Sequence, residues 1–365
     1  MSIEQQTQAL EALFEPYKVR QLTISNRIVM SPMARAFSPD GVPGEDVAAY
    51  YSRRAENEVG LVITEGAVIG HPAAASESRL PDMSGEAALA GWSSVVRQVH
   101  EAGGMIFPQL VHMGMIRPEG TGPNPQAKSL GPSGLDLEGN YAGEPMTEQD
   151  IDEVIQAYAD AAANARRIGF DGIELHGAHG FLIDQFFWAK TNRRTDRYGG
   201  DDLQRTTFAA EVVRAVRAAV GPDYPISMRL SQWKMADYTA KLWDTPEQLE
   251  QFLSVLVEAG VDIFHVSTRR FNEPGFAGSE LSLAGWVKKL SGKTTIAVGS
   301  VGMADDGETG VPGYQELMSR LEQQEFDLVA VGRALLGDPA WAKKVHEGRL
   351  DDIKPFTPEA AAVLY

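Results

Sequence analysis

The chain has 365 residues, 43% of them hydrophobic, with 33 Lys+Arg against 50 Asp+Glu, a formal charge of −17 and no cysteine. That length permits one large α/β domain or two smaller domains. The acidity argues against a nucleic-acid partner, whose binding rests on basic surface, and the lack of thiols excludes disulfides, iron–sulfur clusters and Cys-ligated zinc.

Residues 1–15 precede the first apolar run and are read as an N-terminal extension, a helix capping the floor of the fold. The segment MSIEQQTQALEALFEP has neither a basic n-region nor an apolar h-region, so no signal peptide is expected. No apolar run approaches the ~20 residues of a membrane span. A cytoplasmic protein with no membrane partner is the expectation.

Eight apolar runs of strand length follow: RIVMSPM (27–33), GLVITEG (60–66), GMIFPQL (104–110), GIELHG (172–177), PISMRLS (225–231), DIFHVST (262–268), TIAVGSV (295–301) and DLVAVGR (327–333). Several are rich in Val and Ile without strict alternation, as strands covered on both faces are. Helical segments lie between them. Residues 147–168 open on a Thr147-x-x-Asp150 cap and stop at Gly169; 202–220 stop at Gly221-Pro222; 246–259 follow Thr245, with Pro246 first, and stop at Gly260. Eight β–α alternations without a break in composition predict a single (β/α)8 TIM barrel, an α/β fold spanning 1–365. An open doubly wound sheet is the alternative, and no GxGxxG fingerprint opens the first unit to support it. Residues 112–146, rich in Gly and Pro, form a long excursion after strand 3 that is expected to rise over the C-terminal face, where barrel active sites lie.

Polar residues interrupt several strand ends. Gln109 can donate and accept together. His176 and His179 stand where the fourth strand opens into a loop; two neutral donors there can grip one substrate oxygen, and the same pair can equally satisfy loop carbonyls. As a metal site the pair lacks a third ligand at a recognisable spacing. Arg229 lies within an apolar strand and needs an accepting partner, a ligand or a barrel carboxylate such as Glu65 or Glu174. The ends AVGSVG (297–302) and AVGRAL (330–335) put glycines at the last two strands, either for tight turns or to bring backbone amides, with Arg333, to a phosphate. No strand-end lysine of the Schiff-base type stands out.

Together these residues resemble the Old Yellow Enzyme family of FMN-dependent ene-reductases, from LFEPYKV (13–19) to VGRALLGDPAW (331–341). NRIVMSPMAR (26–35), ITEGAVI (63–69), PQLVHMG (108–114) and HGAHGFL (176–182) look like its first four strands, and TNRRTDRYGGDDLQR (191–205) is similar to its long signature after the fourth. The resemblance implies non-covalent FMN with NADPH or NADH as hydride donor, and a ping-pong hydride transfer to a small activated alkene, an α,β-unsaturated carbonyl or nitro compound. It implies that Pro32, Met33 and Ala34 lie along the isoalloxazine edge, that Gly66 and Gln109 contact the pyrimidine ring, and that Arg229 faces N1 and O2. Gly299, Ser300, Gly332 and Arg333 then hold the phosphate, and His176 and His179 bond the substrate oxygen. Arg269, Arg270 or Arg117 is available for a 2′-phosphate, and the protein is a monomer or a homo-oligomer.

The chain departs from the family at two positions. Phe181 stands where relatives usually carry the Tyr credited with donating a proton, which leaves Tyr238, Tyr141 or water as the donor, or a reaction that needs none. Ala34 replaces a Thr or Cys that bonds flavin O4, and a lower flavin potential is expected. Two other readings keep the fold and flavin, namely amine dehydrogenation or N-demethylation, and nitro or nitrate-ester reduction. A non-redox phosphate-binding barrel lyase or isomerase is the alternative of another class.

Overall fold

The computed structural model describes residues 10–303 and 312–365. A short antiparallel hairpin, β1 (Tyr17–Val19) and β2 (Leu22–Ile24), comes first. The eight apolar runs then form eight parallel strands: β3 (Ile28–Met30), β4 (Leu61–Val68), β5 (Met105–Val111), β6 (Ile173–His179), β7 (Ile226–Lys234), β8 (Ile263–Ser267), β9 (Thr294–Val298) and β10 (Leu328–Val331). They close into a barrel in the order β10-β3-β4-β5-β6-β7-β8-β9. The pairing of β10 with β3 closes the ring and rules out the open sheet.

The barrel floor differs from the expectation. Residues 1–9 of the N-terminal extension lie outside the described residues, and Glu11–Phe14 is a single 3-10 turn with Leu13 buried. The hairpin seals the floor instead: Val19 and Ile24 pack on an inner apolar layer that includes Val29, Ile63, Phe107, Ile296 and Leu328. A second apolar layer fills the space between strands and helices.

Local chemistry sets the helix starts. Thr147 and Asp150 form a full capping box before Glu148–Arg167, and Thr245 and Gln248 form another before Pro246–Ala259, which ends on left-handed Gly260. The helix expected from 202 begins as a 3-10 turn, Gln204–Thr206, and becomes regular at Thr207–Val220. Among the described residues no helix is long and apolar enough to cross a membrane.

The excursion 112–146 is tied together by one buried side chain. Arg117 donates to the carbonyls of Ala75 (3.1 Å), Ala127 (2.9 Å), Thr121 (2.8 Å) and Asn124 (2.8 Å), and to Ser129 Oγ (3.0 Å). Its guanidinium is spent on loop carbonyls, so it is not the 2′-phosphate ligand for which it was considered.

Candidate active site

The barrel interior turns from apolar to polar at its C-terminal end. The period of two directs Glu174 and His176 of β6, Ser227 and Arg229 of β7, and His265 and Ser267 of β8 to the same face. The register sets His176 beside Arg229 and Arg229 beside His265, so three nitrogen-bearing side chains form one transverse layer.

Beneath that layer Glu174 gathers partners. It accepts from Gln109 Nε2 (2.9 Å), Ser227 Oγ (2.9 Å) and His265 Nδ1 (2.8 Å). Burial drives its carboxyl up, but His265, the Arg229 charge and the Gln109 amide outweigh burial and hold it below the usual range. Since the ionised carboxylate only accepts, His265 Nδ1 carries the proton, and burial keeps that imidazole neutral by lowering its pKa. His265 has no place among the site residues expected from sequence.

Arg229 is buried, and its pKa is lowered to about 10 by burial, with Glu174 opposing the shift, so it remains a cation at neutral pH. Nη2 donates to Ser31 Oγ (3.3 Å), whereas Nε is buried without a partner. Of the two carboxylates considered for it, Glu174 acts on it through charge. Glu65 is engaged elsewhere, with Oε2 accepting the backbone N–H groups of Arg35 (2.7 Å) and Ala36 (2.8 Å). Those bonds shape the loop after β3 that holds buried Pro32, half-buried Met33 and exposed Ala34. Gly66 pairs with Gln109 across β4 and β5, and a Cβ at Gly66 would lie 2.9 Å from Val111 Cγ1, too close for any side chain.

The histidine pair sits at the mouth. The rings of His176 and His179 are 5.3 Å apart and nearly perpendicular, at 89°. His176 Nδ1 is buried and unpartnered, while His179 Nε2 meets Ser267 Oγ at 2.9 Å. Burial, then the Arg229 charge, lowers both pKa values well below that of free imidazole, so both rings are neutral at pH 7. Phe181 lies against His176, ring to ring at 4.3 Å. On the other side Trp233 stacks on His179 at 4.2 Å, Tyr238 stacks on Trp233 at 5.4 Å, and Arg269 lies 4.6 Å over Tyr238. Among the described residues no cluster of three His, Asp or Glu is arranged to hold a metal ion.

The glycine-bearing ends of β9 and β10 are adjacent, because the two strands pair directly. Gly299 is required by close approach: a Cβ there would lie 2.8 Å from the backbone of Arg270 and Phe271. Ser300 has a left-handed backbone (φ 53°), and its hydroxyl donates to the Arg269 carbonyl (3.0 Å). Gly332 precedes the short helix Arg333–Gly337, and the Arg333 side chain is exposed.

Lys234 and Tyr141 differ from the sequence expectation. Lys234 ends β7 wholly buried, so a strand-end lysine does exist, but its Nζ is ion-paired to buried Asp184 at 2.7 Å. Tyr141, one of the two tyrosines considered as proton donors, is 74% exposed and pairs with Leu135 within the excursion, whereas Tyr238 belongs to the stack on His179.

Comparison with known proteins gives the family and supports the barrel fold. The family model described as "NADH:flavin oxidoreductase / NADH oxidase family" matches residues 12–352. A NADH oxidase of Thermoanaerobacter brockii is 37% identical over 354 residues, covering 94% of this chain but 52% of that protein, so the chain spans about half its length. Rice (Oryza sativa subsp. japonica) 12-oxophytodienoate reductase 7 is 32% identical over 359 residues, covering 92% of this chain and 88% of that one. A structure of morphinone reductase in complex with tetrahydroNAD superposes with a TM-score of 0.81 at 28% identity, covering 96% of this chain and 94% of the other.

Proposed function

We propose that this chain, which belongs to the NADH:flavin oxidoreductase / NADH oxidase family of Old Yellow Enzyme-like flavoproteins, reduces activated C=C bonds at the mouth of its barrel. It is an FMN-dependent NAD(P)H oxidoreductase. The observation that carries the finer reading is the pair of neutral histidines, His176 in register with a buried arginine whose Nε has no partner and His179 next to it.

The residues fit the cofactor. Arg229 offers a buried cation with an unused donor, Gln109 a buried amide held by Glu174, and Gly66 a position where a Cβ would crowd Val111. These three suit the polar edge of a flavin, with Pro32, Met33 and Ala34 beside it and the paired ends at Gly299, Ser300, Gly332 and Arg333 for its phosphate. Bound there, FMN would supply the two-electron hydride chemistry between NAD(P)H and the substrate. Arg229 stabilises negative charge on that edge, since a buried cation acts through a low dielectric. His176 and His179 donate to the carbonyl or nitro oxygen of the alkene, and those bonds strengthen as charge builds on that oxygen. Phe181 supplies no proton, and the stacked Tyr238 is the better-placed of the two tyrosines.

A second reading rests on Phe181 alone. Reduction of nitro or nitrate-ester groups needs no proton delivered to carbon, so a site without a hydroxyl at that position suits it. The non-redox barrel enzyme is set aside by the family assignment.

Anaerobic single-turnover oxidation of the reduced enzyme by 2-cyclohexen-1-one tests the proposal. His176→Ala and His179→Ala are each expected to slow it by about 10²-fold, as loss of an oxyanion donor does. An unchanged rate in both variants would refute the oxygen-gripping role.

A further inference from the structure

β7 continues past its last pairing with β8, Ser231 to Ser267, and ends in Lys234. The Lys234–Asp184 pair is fully buried, 0% exposed on both sides, at 2.7 Å. Taking two charges out of water costs several kcal/mol per ion, and apolar residues of the same size often serve stability as well. A pair kept under those terms calls for a role beyond cohesion, and its surroundings supply one.

The His179–Gly180 bend lies between the two partners. His179 has φ 64°, a left-handed conformation that non-glycine residues rarely hold unless the surroundings impose it. Its N–H donates to Ser231 Oγ (3.0 Å), and its carbonyl accepts from Met235 N–H (3.2 Å). Asp184 Oδ2 takes the next N–H, that of Gly180, at 2.6 Å, while Oδ1 holds Lys234, whose Nζ also donates to the Ser231 carbonyl at 3.3 Å. One carboxylate thereby joins the bend to the end of β7, across the bulge where His179 and Lys234 come into register.

We infer that Lys234 and Asp184 form a positioning pair that locks the strained His179 bend, and so fixes the imidazole that meets Ser267 and Trp233. The inference rests on the reading of His179 as a ligand of the substrate oxygen. The pair touches no reacting atom; it sets where a donor points, and donor placement is worth large factors in binding and rate.

The test uses the FMN-loaded protein and 4-hydroxybenzaldehyde, whose phenolate oxygen probes the histidine pair through a long-wavelength absorbance band. Lys234→Met/Asp184→Asn removes both charges and avoids a lone buried ion. At a temperature well below its unfolding midpoint, with FMN content unchanged, its Kd is expected to rise about tenfold. Lys234→Gln/Asp184→Asn, a second uncharged pair whose side chains can still hydrogen-bond, is expected to raise Kd by a smaller factor and stands in should the Met variant not fold. His179→Ala runs in parallel. An unchanged Kd in the folded pair variants beside a weakened His179→Ala overturns the positioning role. An unchanged Kd in all of them overturns the reading of the site, and the positioning role with it. A lowered unfolding midpoint with unchanged Kd marks the ion pair as cohesion only and likewise overturns the inference.

Discussion

Phe181 packs its ring 4.3 Å from His176 and brings no hydroxyl to that side of the proposed substrate site. Phe181→Tyr is therefore expected to speed the oxidative half-reaction with 2-cyclohexen-1-one by about 10²-fold, the lower end of what a positioned general acid contributes. Stopped-flow measurement showing no gain would mean that the proton already arrives elsewhere. Tyr238→Phe addresses that route: loss of alkene reduction with nitro reduction intact identifies Tyr238 as the donor. Residue-level legibility in the sequence was uneven. Arg229 and the histidines are polar intrusions in apolar runs and stand out. His265 is the same kind of intrusion in DIFHVST, two residues from Ser267 on the inward-facing alternation, and a face-by-face reading of that strand would have found it. Trp233 and Lys234 follow the polar pair Ser231-Gln232, so they read as loop although the strand continues through them.

At the scale of elements, the excursion depends on Arg117 more than on its own secondary structure. The guanidinium satisfies four loop carbonyls and one hydroxyl, and its loss leaves buried acceptors without donors, at about 1–3 kcal/mol each. Arg117→Met is expected to open 112–146 to limited proteolysis while FMN stays bound; equal resistance to cleavage would contradict this account of the loop. Sequence reading located the excursion through its Gly and Pro content but could not show what orders it, because the partners of Arg117 are backbone groups, which no side-chain pattern reports. The floor hairpin leaves no signal in the sequence for a related reason. β1 and β2 are three residues each, too short for an alternation to register.

Across the whole molecule, the barrel was legible because every strand is a dense apolar run and several helices carry explicit start and stop signals. The polar layer inside it was only partly legible, since it is made by register between strands far apart in sequence. Buried histidines, in that layer and beside it, set how stability depends on pH. His112, His176, His179 and His265 are all buried with pKa values pushed below the free value of 6.5, chiefly by burial. Below pH 6.5 the unfolded chain takes up protons that the folded chain refuses, so stability is full above that pH and falls as pH drops toward the folded values. The unfolding midpoint is thus expected to be level above pH 6.5 and to fall below it, and His112→Asn, which preserves an acceptor for the Gly114 N–H, is expected to flatten part of the fall. A variant with the unaltered pH profile would contradict this assignment.

The most direct measurement is a crystal structure of the FMN complex with 4-hydroxybenzaldehyde bound. The account predicts its phenolate oxygen at hydrogen-bond distance, about 2.7–3.2 Å, from a ring nitrogen of both His176 and His179. A phenolate oxygen bound away from that pair would contradict it.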